Sequence, residues 1–179
     1  MKRILALCGC LAGFSLLMPS AWAAAETGFG ISGGISSTDA DELGIRDNVG
    51  PAIGFDYQFA LSDQFSLSPF LQYASEEGKI DVAPFGSFDV TVKTLSYGVQ
   101  ARGWVDEFFA GGHLAAYDLT LDLLGSSASE SGFGFGAVLG WEAEGGFFAH
   151  LQYDSFTIGS GSNEIDLTST RVFAGFRFK

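Results

Sequence analysis

The chain has 179 residues, with 9 basic against 21 acidic side chains and a formal net charge of −12. No basic patch is available to neutralise a phosphate backbone, which excludes nucleic acid as an expected partner. Gly (25) and Phe (18) are abundant and the mean hydropathy is positive, an unusual mixture for a water-soluble domain.

Residues 1–23 read as a secretory signal. Lys2 and Arg3 give a positive start, an apolar stretch runs from Ile4 to about Met18, and Pro19 breaks it. Ala21-Trp22-Ala23 then supplies the small residues of a cleavage site, with a cut after Ala25 as the alternative. The apolar run falls short of the roughly 20 residues that a spanning helix needs. Cys10, after Leu7-Cys8-Gly9, loosely resembles a lipidation site, but most of the apolar run lies beyond it. With Cys8 and Cys10 inside the signal, residues 24–179 carry no disulfide and no thiolate metal site, and no cofactor is implied. This remainder is long enough for one domain, without any run apolar enough for a transmembrane helix.

From Thr27 onward the dominant signal is period-two alternation broken by turn chemistry. A first strand, 27–36, places Phe29, Ile31 and Ile35 on one face and Ser32 and Ser36 on the other. The polar stretch 37–48 reads as a loop. The second strand, 49–60, alternates Ile53, Phe55, Tyr57 and Phe59 with Gly54, Asp56 and Gln58. After a turn at 61–64, a third strand carries Phe65, Leu67, Pro69, Leu71 and Tyr73 outward and Ser66, Ser68 and Gln72 inward. Residues 75–89 read as the longest loop or as a hairpin reaching beyond the membrane.

The fourth strand sets Leu95, Tyr97, Val99 and Ala101 against Ser96, Gly98, Gln100 and Arg102, and a turn is expected at 104–107. In the fifth strand, 108–122, Tyr117, Leu119 and Leu121 are expected outward. That phase would bring His113 against lipid unless a bulge near Ala115-Ala116 intervenes. A loop is expected at 125–131. The sixth strand sets Phe133, Phe135, Ala137, Leu139 and Trp141 against Gly134, Gly136 and Glu142. A turn at 143–146 follows, then a seventh strand with Phe147, Ala149, Leu151 and Tyr153 out and His150, Gln152 and Asp154 in. After a loop at 158–164, the last strand sends Val172, Ala174, Phe176 and Phe178 outward and Arg171, Gly175 and Arg177 inward.

Eight strands that alternate long loops with short turns predict an all-β fold, an eight-stranded antiparallel up-and-down barrel, crossing a membrane. Strands of about 9–11 residues match tilted crossings of the apolar layer. Closure leaves no backbone edge in lipid. Phe59, Phe65, Trp104, Phe147, Phe176 and Phe178 are expected to form an aromatic girdle at one interface, and Tyr73, Tyr117 and Phe133 at the other. A soluble lipocalin-like barrel would need the opposite arrangement, polar outside and apolar within.

The inward phase carries six charges: Asp56, Arg102, Glu142, Asp154, Arg171 and Arg177. In a narrow barrel these should pair, with Arg102 expected near Asp56 or Glu142, and so plug the lumen. Acidic residues assigned to loops, including Asp39, Asp41, Glu42, Glu76, Glu77 and Asp81, read as solvated. No hydrolase signature is present: His150 has Gln152, not a serine, two residues on, and His113 has Ala115.

The alternating aromatic end Val172-Phe173-Ala174-Gly175-Phe176-Arg177-Phe178 resembles the last strand of small outer-membrane barrels of the OmpA/OmpX type, the outer-membrane β-barrel-domain (porin) family of Gram-negative cell envelopes. The resemblance covers the whole of 24–179. It implies residence in the bacterial outer membrane among lipid and lipopolysaccharide, a monomer, and a structural or surface-interaction role, with a narrow solute channel as alternative and a lipid-modifying enzyme further off. It also implies that Val172, Ala174, Phe176 and Phe178 serve as the signal for the barrel-assembly machinery, although Lys179 follows the usual terminal Phe.

Overall fold

The computed structural model describes residues 25–40, 43–82, 84, 86–159 and 164–179. The expected signal peptide lies outside these, as do Asp41 and Glu42.

Apolar and polar residues alternate because each strand separates two different environments, and a strand with two such faces must pair on both edges when lipid surrounds it. The eight strands do so: β1 (Gly28–Asp39), β2 (Ile45–Ser62), β3 (Phe65–Val82), β4 (Gly86–Val105), β5 (Phe108–Leu123), β6 (Ser126–Glu142), β7 (Phe147–Ile158) and β8 (Ile165–Phe178). Each pairs antiparallel with the next, and β1 pairs with β8 to close the ring. The pairing is staggered. Followed once round from Asp39 through Thr168, Ser155, Phe135, Leu114, Val99 and Pro69, it returns to β1 at Phe29, ten residues lower. A stagger of that size tilts the strands strongly, and eight strands leave an interior that side chains can fill.

The strands outrun the bilayer. The stretch 37–48 is not a long loop: β1 continues to Asp39 and β2 starts at Ile45. The β3–β4 hairpin pairs as far as Val82 with Gly86. The expected loop 125–131 is instead the start of β6, joined to β5 by Leu124 and Gly125, both at positive φ (51° and 84°). Two central residues of that kind make the tight hairpin turn whose twist matches the strands. The polar run Ser126–Ser131 reads as loop because it is exposed on both faces; pairing with β5 and bonds such as Ser131 Oγ to Asp118 (2.6 Å) hold it as strand.

β5 corrects the sequence reading most sharply. Its pairing with β4 runs without a bulge from Phe108 to Leu123. His113 therefore points inward, and so do Tyr117 and Leu119, which are 0% and 2% exposed. Tyr117 does not belong to the outer girdle. The reason is a change of solvent along the strand: above the bilayer the outside is water, so apolar residues turn in and Asp118, Thr120 and Asp122 turn out. Tyr117, Leu119, Val90, Val92, Phe156, Ile158 and Leu167 form the resulting apolar core.

Trp104 is also corrected. It lies at the end of β4 facing inward, 3% exposed, with its indole N–H donating to Ser66 Oγ (3.0 Å) and its ring against Phe109. Phe108, 62% exposed, holds the lipid-facing place at that interface instead. Ala25 packs with Trp104, Phe109 and Val138, and its amide donates to Asp63 O (2.9 Å), so the N-terminal segment floors the barrel.

Candidate functional site

The candidate site is the lumen, where inward side chains from all eight strands meet. It has two polar tiers below the apolar core. In the lower tier Arg177 from β8 bridges two acids: its Nη1 lies 2.9 Å from Asp56 Oδ2 on β2, and its Nε lies 3.0 Å from Glu142 Oε2 on β6. Arg102 from β4 reaches Asp56 at 3.5 Å and spends its other donors on Gln58 (2.9 Å) and Gln100 (2.7 Å). Both guanidinium groups lie over aromatic faces, Arg102 on Phe109 at 4.9 Å and Arg177 on Phe148 at 5.3 Å, which favours a cation in a confined space.

In the upper tier His113 Nε2 lies 2.6 Å from Asp154 Oδ1, and Arg171 Nη1 lies 3.6 Å from Asp154 Oδ2. Arg171 also donates to Gln72 Oε1 (2.8 Å) and Ser96 Oγ (2.9 Å). Gln72 and Gln152 exchange two hydrogen bonds across the lumen, each amide N–H donating to the other's Oε1 (3.0 and 3.1 Å). Gly136, opposite His113 on β6, has no side chain for a physical reason: a Cβ there would overlap the imidazole.

The six charges singled out from the sequence thus all point inward and are buried. The structure brings them together as two groups, Asp56–Arg102–Glu142–Arg177 below and Asp154–Arg171 above. Arg177, not Arg102, makes the closer contacts to both lower acids. Sequence reasoning left His113 undecided and assigned Glu76 to a solvated loop. Glu76 is fully buried, accepting from Thr38 N and Thr38 Oγ1 at 3.0 Å each. Unbroken pairing from Phe108 to Leu123 puts His113 on one face with Tyr117 and Leu119, and alternation alone does not say that this face is the lumen; nothing local marks Glu76, which is inward only because β3 extends beyond the bilayer.

His150 sits between Phe109, Phe148 and Phe173, and neither ring nitrogen has a partner among the described residues. His113 Nε2 faces Asp154 and, at 3.4 Å, the Tyr117 hydroxyl. Among the described residues neither histidine has a serine hydroxyl within hydrogen-bonding distance.

A closed ring with a lipid-facing apolar belt and a charged interior defines an integral outer-membrane barrel. The sequence profile described as "Outer membrane protein beta-barrel domain" matches residues 6–178, and the chain belongs to that family. Its place is the bacterial outer membrane. No curated protein matches the sequence. Among solved structures, the fold is similar to Ail, the attachment invasion locus protein of Yersinia pestis, in complex with the heparin analogue sucrose octasulfate. The TM-score is 0.57 at 15% identity, over 86% of this chain and 99% of that one. Neisserial surface protein A is similar at TM-score 0.55 and 16% identity (86% and 96% covered). OprG from Pseudomonas aeruginosa gives 0.52 and 14% (87% and 98%). At these identities the likeness is one of fold.

Proposed function

We propose that the protein is a sealed barrel that presents its outer strands at the cell surface, and not a solute channel or an enzyme. The observation that carries this reading is the burial of Arg171 and Arg177, each 1% exposed at the centre of a charge-paired lumen. An ion crossing the barrel would have to break those pairs, then pass the apolar core around Tyr117 and Leu119. An isolated charge in such a core is strongly disfavoured. In this reading Asp56, Arg102, Glu142, Asp154, Arg171 and Arg177 plug the lumen and hold its register. The lipid-facing set Val172, Ala174, Phe176 and Phe178 is what the assembly machinery reads, the signal is cut after Ala23, and the barrel is a monomer among lipid and lipopolysaccharide.

Single-channel recording on the refolded protein in a planar bilayer tests the seal. The expected trace shows no discrete conductance steps. A stable ohmic conductance, raised no further by Arg171→Ala, would overturn the reading in favour of a narrow channel.

A further inference from the structure

The barrel wall is not level at its outer end. β6 pairs with β5 up to Ser126, but with β7 only from Gly132, opposite Ile158. β3 and β4 pair up to Val82 and Gly86, whereas β8 begins at Ile165. Among the described residues, β3 to β6 therefore rise above β7 and β8, and the inner face of this taller sheet looks across the mouth. That face continues the apolar core upward and leaves it uncovered. Phe88 lies on the face of β4 that carries Val90 and Val92, and Ile80 stands opposite Phe88 on β3. Leu123 and Leu121 stand opposite Val90 and Val92 on β5. The valines are buried, but Ile80, Phe88, Leu121 and Leu123 are only partly so. Across β5, Leu123 and Leu121 meet Ser126 and Ala128, which are exposed and too small to cover them.

The tip of this sheet carries a residue that folding disfavours. Leu124 is 76% exposed and takes a φ of 51° in the β5–β6 turn. Such turns favour Asn, Asp or Gly, which tolerate a positive φ; a bulky side chain there is strained. Leu124 thus sits unfavourably in both backbone and solvent. Beside a partly uncovered apolar face, an outlier of this kind points to a contact outside the chain.

Charge narrows the partner. Above the belt the cations among the described residues are Arg46, Lys79 and Lys93, and Arg46 and Lys93 are already paired with Asp81 and Asp122. Asp118 on β5, Glu130 on β6 and Asp166 on β8 stand at the same end and form no ion pair among the described residues. An acidic partner would be repelled there, and a neutral one would leave these carboxylates unused. A segment with an apolar side toward the face and Lys or Arg beside it is complementary to both features.

We propose that the inner face of the β3–β6 extension docks a cationic amphipathic peptide segment, with Leu124 as the anchor that enters the partner's apolar side. This gives a partner to the surface-presenting reading above and rests on that reading, but it is tested apart from the lumen.

The test is methyl NMR on the full barrel in zwitterionic lipid nanodiscs, with the Leu123 and Leu124 methyl groups as reporters and empty discs as the control for peptide held by lipid. The probe is a synthetic amphipathic peptide of Leu and Lys. One comparison peptide carries Glu in place of Lys; another has the same composition in scrambled order. Saturable shifts with the Leu/Lys peptide that weaken in high salt are expected, with none from the Leu/Glu peptide and much smaller ones from the scrambled peptide. No shift with the Leu/Lys peptide, or an equal shift with either comparison, overturns the proposal. Leu124→Asn separates anchoring from folding. Asn suits the turn better than Leu, so the unfolding midpoint should hold or rise. Affinity should fall about tenfold, the loss that matches one leucine no longer buried. Unchanged affinity would overturn the proposal. If that variant fails to fold, Glu130→Gln, on the exposed part of β6, should weaken binding and flatten its salt dependence; an unaltered salt dependence would overturn the proposal. Loss of peptide binding would leave the conductance result untouched. Reversed labelling of the barrel would sink the surface reading and leave the peptide contact intact, so the two readings fail separately.

Discussion

The barrel is two proteins in cross-section. Within the bilayer the wall is apolar and the lumen is charged: Leu139 and Leu151 face out while Arg177 and Asp154 face in. Beyond the bilayer the same strands invert: Asp118 and Thr120 face out while Leu119 and Val92 face in. The inversion happens with no bulge in β5, so it is a change in which face each residue type occupies and not a change in phase. The comparison teaches that alternation reports two environments without naming them, and that the outer environment changes from lipid to water along a single strand.

The largest expected effect breaks the lower half. Arg177→Ala strands Glu142 in the lumen, leaves Asp56 with only its 3.5 Å contact to Arg102, and should cost about 3–5 kcal/mol of unfolding free energy if the site is dry. Urea titration in lipid vesicles measures it. In the outer half, Leu119→Ala removes a core residue and should cost about 2–5 kcal/mol, as in a soluble protein. Charge placed on the outside should separate the halves. Leu139→Arg should cost about 2–4 kcal/mol if it sits near the bilayer midplane. Thr120→Arg, outward but above the bilayer, should stay within about 0.5 kcal/mol. Equal costs for the two would mean that the outer part of β5 is also in lipid.

Smaller effects sharpen the same boundary. Above the belt, Lys93 Nζ lies 2.6 Å from Asp122 Oδ2. The hydrogen bond to Asp122 and its charge raise the Lys93 ammonium above its ordinary 10.5. Hydrogen bonds from Lys93 and Ser127 lower the Asp122 carboxyl below its ordinary 3.8. The carboxyl's share of stability is therefore present above its unfolded value and lost as pH falls through its lower folded value. The ammonium's share is present below its unfolded value and lost as pH rises through its higher folded value. Asp122→Asn should thus shift the unfolding midpoint slightly at neutral pH and not at all in strong acid, and salt should shrink the difference. A shift that survived in strong acid would deny the pair. Least disruptive of all, Ser127→Cys should react with an impermeant thiol reagent on intact cells, and Asp63→Cys should not. The reverse pattern would turn the barrel over.

Much of this was legible in the sequence where one environment held throughout a strand. In β2, β7 and β8 the lipid-facing residues, from Ile53 to Phe59 and from Val172 to Phe178, follow directly from the pattern. Reading failed where the environment changed. Tyr117 and Leu119 are apolar and were assigned to lipid; Ser126–Ser131 is polar on both faces and was assigned to a loop. Trp104 failed for another reason: its size suggested an interface, but an inward position at the floor gave its N–H a partner in Ser66.

By itself the sequence determined that the chain makes eight alternating strands with a lipid-facing belt, because alternation and turn residues act within a few neighbours. Which charge meets which was decided only by the tertiary structure. Arg177 and Asp56 are 121 residues apart, and Arg171 and Gln72 are 99 apart. Their meeting depends on how far each strand is staggered against the next around the whole ring. That stagger is a property of the closed barrel and of no strand within it.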